Sequence, residues 1–366
     1  MRRYFLILLL IGCLAFTSGC LQANPQEVSP VPAILTLPVV TSTLESIPVT
    51  STSTALPTST SSPTAANTSS PTATIDPYGQ WTIEWLRDRQ YGGGILQIEQ
   101  ELADNSYFTR YLVSYPSDEL QIFGFMDVPQ GDGPFPVVIA IHGYIDPGVY
   151  NTLDYTTGYA DDLARRGYLV IHPNLRDYPP SDSGENRYRV GMAIDILNLV
   201  AIVKSSGGTP GSLEKANSHK IGLWGHSMGG GIATRVMTVN HQDVQAVFLY
   251  APMSGDEQQN FEGIYGWSNH QRGLEELNTP PTALERISPM YFYDDITARV
   301  SLNHGLADEL VPVQWSQKTC DQLIQAGVDV DCTFYPGMPH TFYGDGELEL
   351  MNAAVNFFNE TLISQK

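Results

Sequence analysis

His219-Lys220-Ile221-Gly222-Leu223-Trp224-Gly225-His226-Ser227-Met228-Gly229-Gly230-Gly231-Ile232-Ala233-Thr234-Arg235-Val236-Met237 is the stretch whose reading decides the fold. A strand-like segment, a G-x-S-x-G and a helix-like segment follow one another without a break. A serine hydroxyl is a poor nucleophile unless it is held exposed beside a base. A sharp strand-to-helix turn does that holding, and its crowded backbone tolerates only small neighbours, hence Gly225 and Gly229 on either side of Ser227. The pentapeptide alone is a weak signal in a chain with 32 glycines, so its context has to carry it.

Working outward, the apolar runs alternate in type. Phe108 to Tyr115 and Leu120 to Val128 are β-rich and flank the turn Pro116-Ser117-Asp118-Glu119, which predicts a hairpin. Pro136 to Ile141 and Tyr168 to Ile171 are continuous apolar runs of the kind shown by parallel strands covered on both faces. Ile221–Trp224, Ala246–Tyr250, Val300–Asn303 and Val330–Tyr335 supply further strands. Tyr159–Arg166, Arg189–Ser205, Val313–Ala326 and Glu347–Ile363 have helical spacing, and Gln80–Leu102 reads as helix or mixed structure. Strands alternating with helices predict an α/β fold: a mostly parallel, doubly wound sheet with an N-terminal antiparallel hairpin. Such sheets bind ligands at the carboxyl ends of their strands, where Ser227 falls.

Acyl transfer at a serine also needs a base, a group that orients it, and donors for an oxyanion. Of eight histidines, His142 and His226 lie within backbone-turn motifs and more often shape a loop. His172, His219, His241 and His270 have no catalytic context, and His304 belongs to the run Asn303 to Asp308. His340 stands in a Pro/Gly loop directly after the last strand, where an imidazole can reach Ser227. Asp308, a short turn after the Val300–Asn303 strand, is the expected orienter, with Glu309, Asp294 and Asp295 as competitors. The Met228 N–H, in a helix's first turn, is one expected oxyanion donor. The Tyr144 N–H, in His142-Gly143-Tyr144, is the other, and its side chain could instead wall the pocket. Hydrolysis is expected to fall below about pH 6, as an imidazole base becomes protonated.

These residues resemble those of an α/β hydrolase, and more narrowly the catalytic domain of the prolyl oligopeptidase family and related short esterases of the dienelactone hydrolase and feruloyl esterase type. The similar stretches are Val128-Pro129, Val137 to Gly143, Ile221 to Gly230, Ser288-Pro289, His304-Gly305 with Asp308 and Val311-Pro312, and Tyr335-Pro336-Gly337 with His340. The resemblance implies Ser227 as nucleophile, His340 as base and Asp308 as orienter. Two departures stand out. Only some thirty residues precede the hairpin, where prolyl oligopeptidases carry a long β-propeller that filters peptides. Asn174-Leu175-Arg176-Asp177 stands where relatives often have Asp-x-Arg-Gly. Short members of this type resemble esterases acting on small acyl esters.

Specificity is expected in residues 252–296, a cap-like insertion, with Phe261, Tyr265 and Trp267 beside Tyr144 as pocket residues. Those aromatics could equally form the insertion's own small core.

The ends of the chain carry a different message. Arg2-Arg3 and the apolar Tyr4–Phe16 read as a signal peptide over residues 1–19, too short for a membrane span of roughly 20 apolar residues. Thr17-Ser18-Gly19-Cys20 resembles a bacterial lipobox, which implies lipidation of Cys20; an ordinary signal peptide cut elsewhere is the alternative. Residues 20–75 are rich in Ser, Thr and Pro and too poor in large apolar side chains to fold, so a disordered tether spanning roughly 40 Å is expected. Residues 76–366 then form the catalytic domain, long enough for a well-buried core. Its partners are expected to be a small ester or short peptide, with membrane lipid held through Cys20.

With 39 Asp and Glu against 19 Lys and Arg, the formal charge is −20. That excess repels phosphate backbones and makes nucleic acid an unlikely partner. Cys320 and Cys332 could form a disulfide in an exported protein, joining a helix to the next strand, or remain buried thiols. No Cys, His and carboxylate cluster has metal-site spacing, and no cofactor is expected. The sequence therefore points to an extracytoplasmic, lipid-anchored serine hydrolase, with a carboxylesterase favoured over a short-peptide peptidase. A noncatalytic surface-binding module would have no need of the Ser, Asp and His set.

Overall fold

Because consecutive strand residues point to opposite faces, a strand covered by helices on both sides must be apolar throughout. The computed structural model, which describes residues 76–364, bears this out. Along Phe135–Ile141, residues Val137, Ile139 and Ile141 enter one core and Val138 and Ala140 the other. Along Ala246–Tyr250 the alternation repeats, with Val247 and Leu249 against Ala246, Phe248 and Tyr250.

In chain order the elements are α1 (Ile83–Asp88), β1 (Gln97–Asp104), β2 (Phe108–Ser117), β3 (Leu120–Pro129), β4 (Phe135–Ile141), α2 (Thr157–Arg165), β5 (Leu169–Pro173), α3 (Val190–Ser206), β6 (Ala216–His226), α4 (Met228–Val239) and β7 (Ala246–Tyr250). There follow α5 (Glu257–Trp267), α6 (Leu274–Leu277), α7 (Pro281–Ile287), β8 (Arg299–Gly305), α8 (Val313–Gln325), β9 (Val330–Tyr335) and α9 (Asp345–Phe358). The strands form one sheet in the order β1-β2-β3-β5-β4-β6-β7-β8-β9. β5 through β9 run parallel with β4 among them, while β1, β2 and β3 pair antiparallel and join the sheet through β5. The larger core, under α3, α4 and α8, lies on one face; α2 and α9 cover the other.

The expected hairpin is present as β2 and β3, and β2 runs further into the turn than expected, with Ser117 opposite Leu120. The segment read as helix or mixed structure divides into α1 and a strand, β1. α1 starts where Thr82 Oγ1 accepts from the Trp85 N–H at 3.2 Å. β1 is exposed along nearly its whole length, so it leaves no apolar alternation in the sequence, and its pairing with β2 defines it. The helix expected over Glu347–Ile363 begins at Asp345 and ends in a wider turn at Asn359–Ile363.

Residues 252–296 fold as α5, α6, α7 and two short 3-10 turns. A buried ion cluster ties them to the helix after Ser227: Arg235 of α4 donates to Glu257 of α5 at 2.6 Å, and Arg189 pairs with the same carboxylate. Two guanidinium groups on one carboxylate satisfy charges that would be costly to bury singly. Cys320 on α8 and Cys332 on β9 are joined by a disulfide. The signal peptide, Cys20 and the tether lie outside the described residues. Among the described residues, no helix is long and apolar enough to cross a membrane.

Candidate active site

Ser227 sits alone between β6, which ends at His226, and α4, which begins at Met228. Its backbone has φ 56° and ψ −117°, a conformation that side-chain-bearing residues adopt only when their surroundings impose it. Those surroundings are hydrogen bonds. The Ser227 N–H donates to Tyr250 O at 2.9 Å, and the N–H groups of Met253 and Gly231 donate to Ser227 O at 3.0 and 3.1 Å. The need for small neighbours is equally concrete. A Cβ on Gly225 would stand 2.5 Å from Gly229 O, one on Gly230 2.7 Å from Pro252 Cβ, and one on Gly229 would overlap Ile141 O.

Asp308 and His340 come together from the loops that follow β8 and β9. His340 Nδ1 donates to Asp308 Oδ2 at 2.8 Å, with both side chains almost wholly buried. That bond leaves Nε2 as the lone-pair nitrogen of a neutral imidazole, the atom a general base uses. Asp308 accepts from three further donors: His304 Nε2 at 2.9 Å and the N–H groups of Leu310 and Val311 at 2.8 and 2.9 Å. Burial alone would push its carboxyl up, but the hydrogen bonds from His304 and His340 outweigh burial and hold it well below the usual carboxylate range. Of the competitors, Glu309 accepts from the His340 N–H at 3.4 Å, Asp295 pairs with Arg87, and Asp294 is exposed.

His304 is the group that sequence reasoning passed over. It is fully buried, accepts from the Ser316 hydroxyl at Nδ1 (2.6 Å), and so presents Nε2–H to Asp308. Its position four residues before Asp308, at a strand end, was the available signal.

His226 also has a defined task. It is buried and stacked on Tyr250 at 4.0 Å between ring centres, and burial pushes its pKa down to about 3. Its Nε2 donates to the His340 carbonyl at 3.0 Å, which leaves Nδ1 to accept from the Tyr155 hydroxyl. The residue before Ser227 thereby grips the backbone of His340.

For the oxyanion, Met228 opens α4, where the first N–H groups have no intrahelical acceptor. The loop after β4 approaches from the other side: a Cβ on Gly143 would lie 3.2 Å from Ser227 Cβ and 2.8 Å from the Tyr155 hydroxyl. His142, fully buried, holds that loop through contacts with the carbonyls of Gly143 and Asn174 at 2.7 and 2.8 Å. The Tyr144 phenol points toward the cap, where it accepts from Arg272 Nη1 at 3.0 Å.

Comparison with known proteins agrees with this fold. Residues 136–275 match the family described as alpha/beta hydrolase fold, and residues 211–365 match the prolyl oligopeptidase family. This chain has the α/β hydrolase fold. It is also a serine hydrolase, by the same matches taken with the esterase and peptidase character of its relatives. It is 24% identical over 225 residues to "Probable acetylxylan esterase A" of Aspergillus clavatus, covering 55% of this chain and 68% of that one. Among solved structures it is similar to acetyl xylan esterase 1 from Thermoanaerobacterium sp., with a TM-score of 0.56 and 18% identity, covering 78% of this chain and 93% of that one. A puromycin-hydrolyzing peptidase of Mycobacterium tuberculosis gives 0.57 and 19%, with 72% and 41% covered.

In the hydrolase's cap, the expected pocket residues separate. Phe261 is buried in the main core, edge-on to Tyr188 at 5.8 Å and under the Arg189 guanidinium, so it packs the cap against the rest of the fold. Tyr265 is half-buried against His270, and Trp267 is exposed and packs on Trp315 at 5.9 Å. A cavity of about 410 Å³ lined by His219, Lys220, Gln245 and Arg299 lies at the amino ends of β6, β7 and β8, away from Ser227, and plays no part in the site.

Proposed function

We propose that this serine hydrolase is a carboxylesterase. Ser227 attacks the ester carbonyl, His340 Nε2 takes its proton and later delivers it to the leaving alcohol, and Asp308 stabilises the imidazolium without becoming protonated. The N–H groups of Met228 and Tyr144 receive the oxyanion. Water then cleaves the acyl-enzyme by the same proton route. The observation that carries this reading is the 2.8 Å bond from His340 Nδ1 to an Asp308 held ionised by His304, at strand ends adjoining the Ser227 turn. The acetylxylan esterase names of the relatives support an ester substrate over an amide. The proposal includes export and lipid anchoring at Cys20, on the strength of the N-terminal sequence.

A second reading, a peptidase acting on short peptides, is supported by the match of residues 211–365 to the prolyl oligopeptidase family. Turnover of p-nitrophenyl acetate, methyl ferulate and short peptidyl anilides separates the two. The esterase reading expects the esters to be faster, and anilides faster by a wide margin would overturn it.

A further inference from the structure

Among residues 76–364 there are twelve arginines, and ten have a carboxylate oxygen within 4.0 Å. The other two are Arg166 and Arg272. Arg166 closes the exposed C-terminal end of α2, where a cation is favoured by the helix dipole. Arg272 has no such explanation. In a chain of charge −20, an arginine held away from carboxylates is a strong exception.

It packs against Tyr144, in the loop after β4 that approaches Ser227. The Arg272 guanidinium lies 4.8 Å from the centre of the Tyr144 ring and donates to the Tyr144 hydroxyl at 3.0 Å. Tyr144 follows Gly143, whose missing side chain lets the backbone come up against Ser227. Arg272 itself is exposed, so its remaining N–H groups are open to solvent beside that loop. The turn that presents it is constrained: Asn269 (φ 51°), His270 (φ 65°) and Gly273 (φ 90°) all have positive φ. The Arg272 N–H is fixed to Ser268 Oγ at 3.0 Å. Non-glycine residues in such conformations persist where the fold over-determines them, and ligand clamps are one such place. Nearby Glu275 on α6 pairs with Arg187.

A fixed guanidinium with open donors and no counter-charge among the described residues is suited to a carboxylate, which it can bind through two parallel hydrogen bonds. We propose that Arg272 is a specificity-determining residue and that the preferred substrates are esters carrying a free carboxylate. This rests on the esterase reading above. Tyr144 positions Arg272 through its ring face and hydroxyl, coupling the oxyanion loop to the cap.

The test compares kcat/KM on the full chain for two matched pairs: monoethyl glutarate against ethyl butanoate, and 4-acetoxybenzoate against 4-acetoxybenzamide. At low salt, the carboxylate-bearing member of at least one pair is expected to be favoured tenfold or more. The preference should shrink as ionic strength rises, fall to within about twofold in Arg272→Gln, and be partly restored in Arg272→Lys. Calorimetric binding of monoethyl glutarate to Ser227→Ala, with and without Arg272→Gln, reads the same contact without turnover and should weaken at least fivefold. No preference in the wild type, or one that survives Arg272→Gln, would overturn the inference. Ser227-dependent hydrolysis of the neutral esters tests the parent reading separately.

Discussion

The His226 imidazole donates from Nε2 to the backbone carbonyl of His340 at 3.0 Å, joining the Ser227 turn directly to the His340 loop. Since a carbonyl only accepts, His226 must carry its proton on Nε2 and take the Tyr155 hydroxyl on Nδ1. Tyr155→Phe removes that donor and leaves the ring stacked on His226, so the protein should fold normally. We expect kcat to fall roughly tenfold to a hundredfold with little change in KM, since small misplacement of reacting groups costs that much. Steady-state kinetics on p-nitrophenyl acetate decide it; a KM effect with kcat intact would assign Tyr155 to binding instead.

Asp308 should behave as an orienter. Asp308→Asn keeps the shape but not the charge, and kcat is expected to drop on the order of 10⁴-fold. His304→Gln, which removes one of the donors holding Asp308 in place, should cost less, about tenfold. Equal losses in the two variants would mean that His304 has a direct role.

Acid should destabilise the fold before it protonates most carboxylates. His172 and His226 are fully buried, and burial lowers the pKa of each. Below about pH 6.5 the unfolded chain therefore binds protons that the folded chain refuses, and stability falls as pH falls. Asp308 acts in the same direction but lower, its contribution being lost as pH drops through about 3.9 toward its depressed folded value. The thermal midpoint at pH 5 should lie about 5 °C or more below that at pH 7.5. Equal midpoints would contradict the burial of these imidazoles as neutral groups.

Much of this was legible in the chain, for physical reasons. A doubly covered strand must be apolar throughout, so β4, β5 and β7 announce themselves, and a strained turn before a helix needs the glycines around Ser227. β1 was not legible because its exposed face carries no hydrophobic signal. The contacts of His304 and of Tyr155 with His226 were not legible either, since they depend on side chains brought together from separate loops. Whether Phe261 lined a pocket or filled a core stayed open because a sequence gives an aromatic residue's presence in the cap but not the direction it faces.

Gly143→Ala tests the approach of the oxyanion loop. The new Cβ would press on Ser227 Cβ and the Tyr155 hydroxyl without entering the main core. A loss of about 10²-fold or more in kcat is expected, with a thermal midpoint within a few degrees of the wild type. Unchanged turnover would mean that the loop carries no oxyanion donor.

The disulfide closes a short loop between α8 and β9. Replacing both Cys320 and Cys332 by serine should lower stability by about 3 kcal/mol, read as a shift in the urea midpoint. Because β9 leads into the His340 loop, activity should become more heat-sensitive in parallel.

The central claim is that Ser227 is the nucleophile. Treating the folded chain with a fluorophosphonate and mapping the adduct by peptide mass spectrometry tests it most directly. The account predicts a single adduct on the peptide containing Ser227, absent from Ser227→Ala. A folded wild type that takes no label, or takes it at another residue, would contradict it.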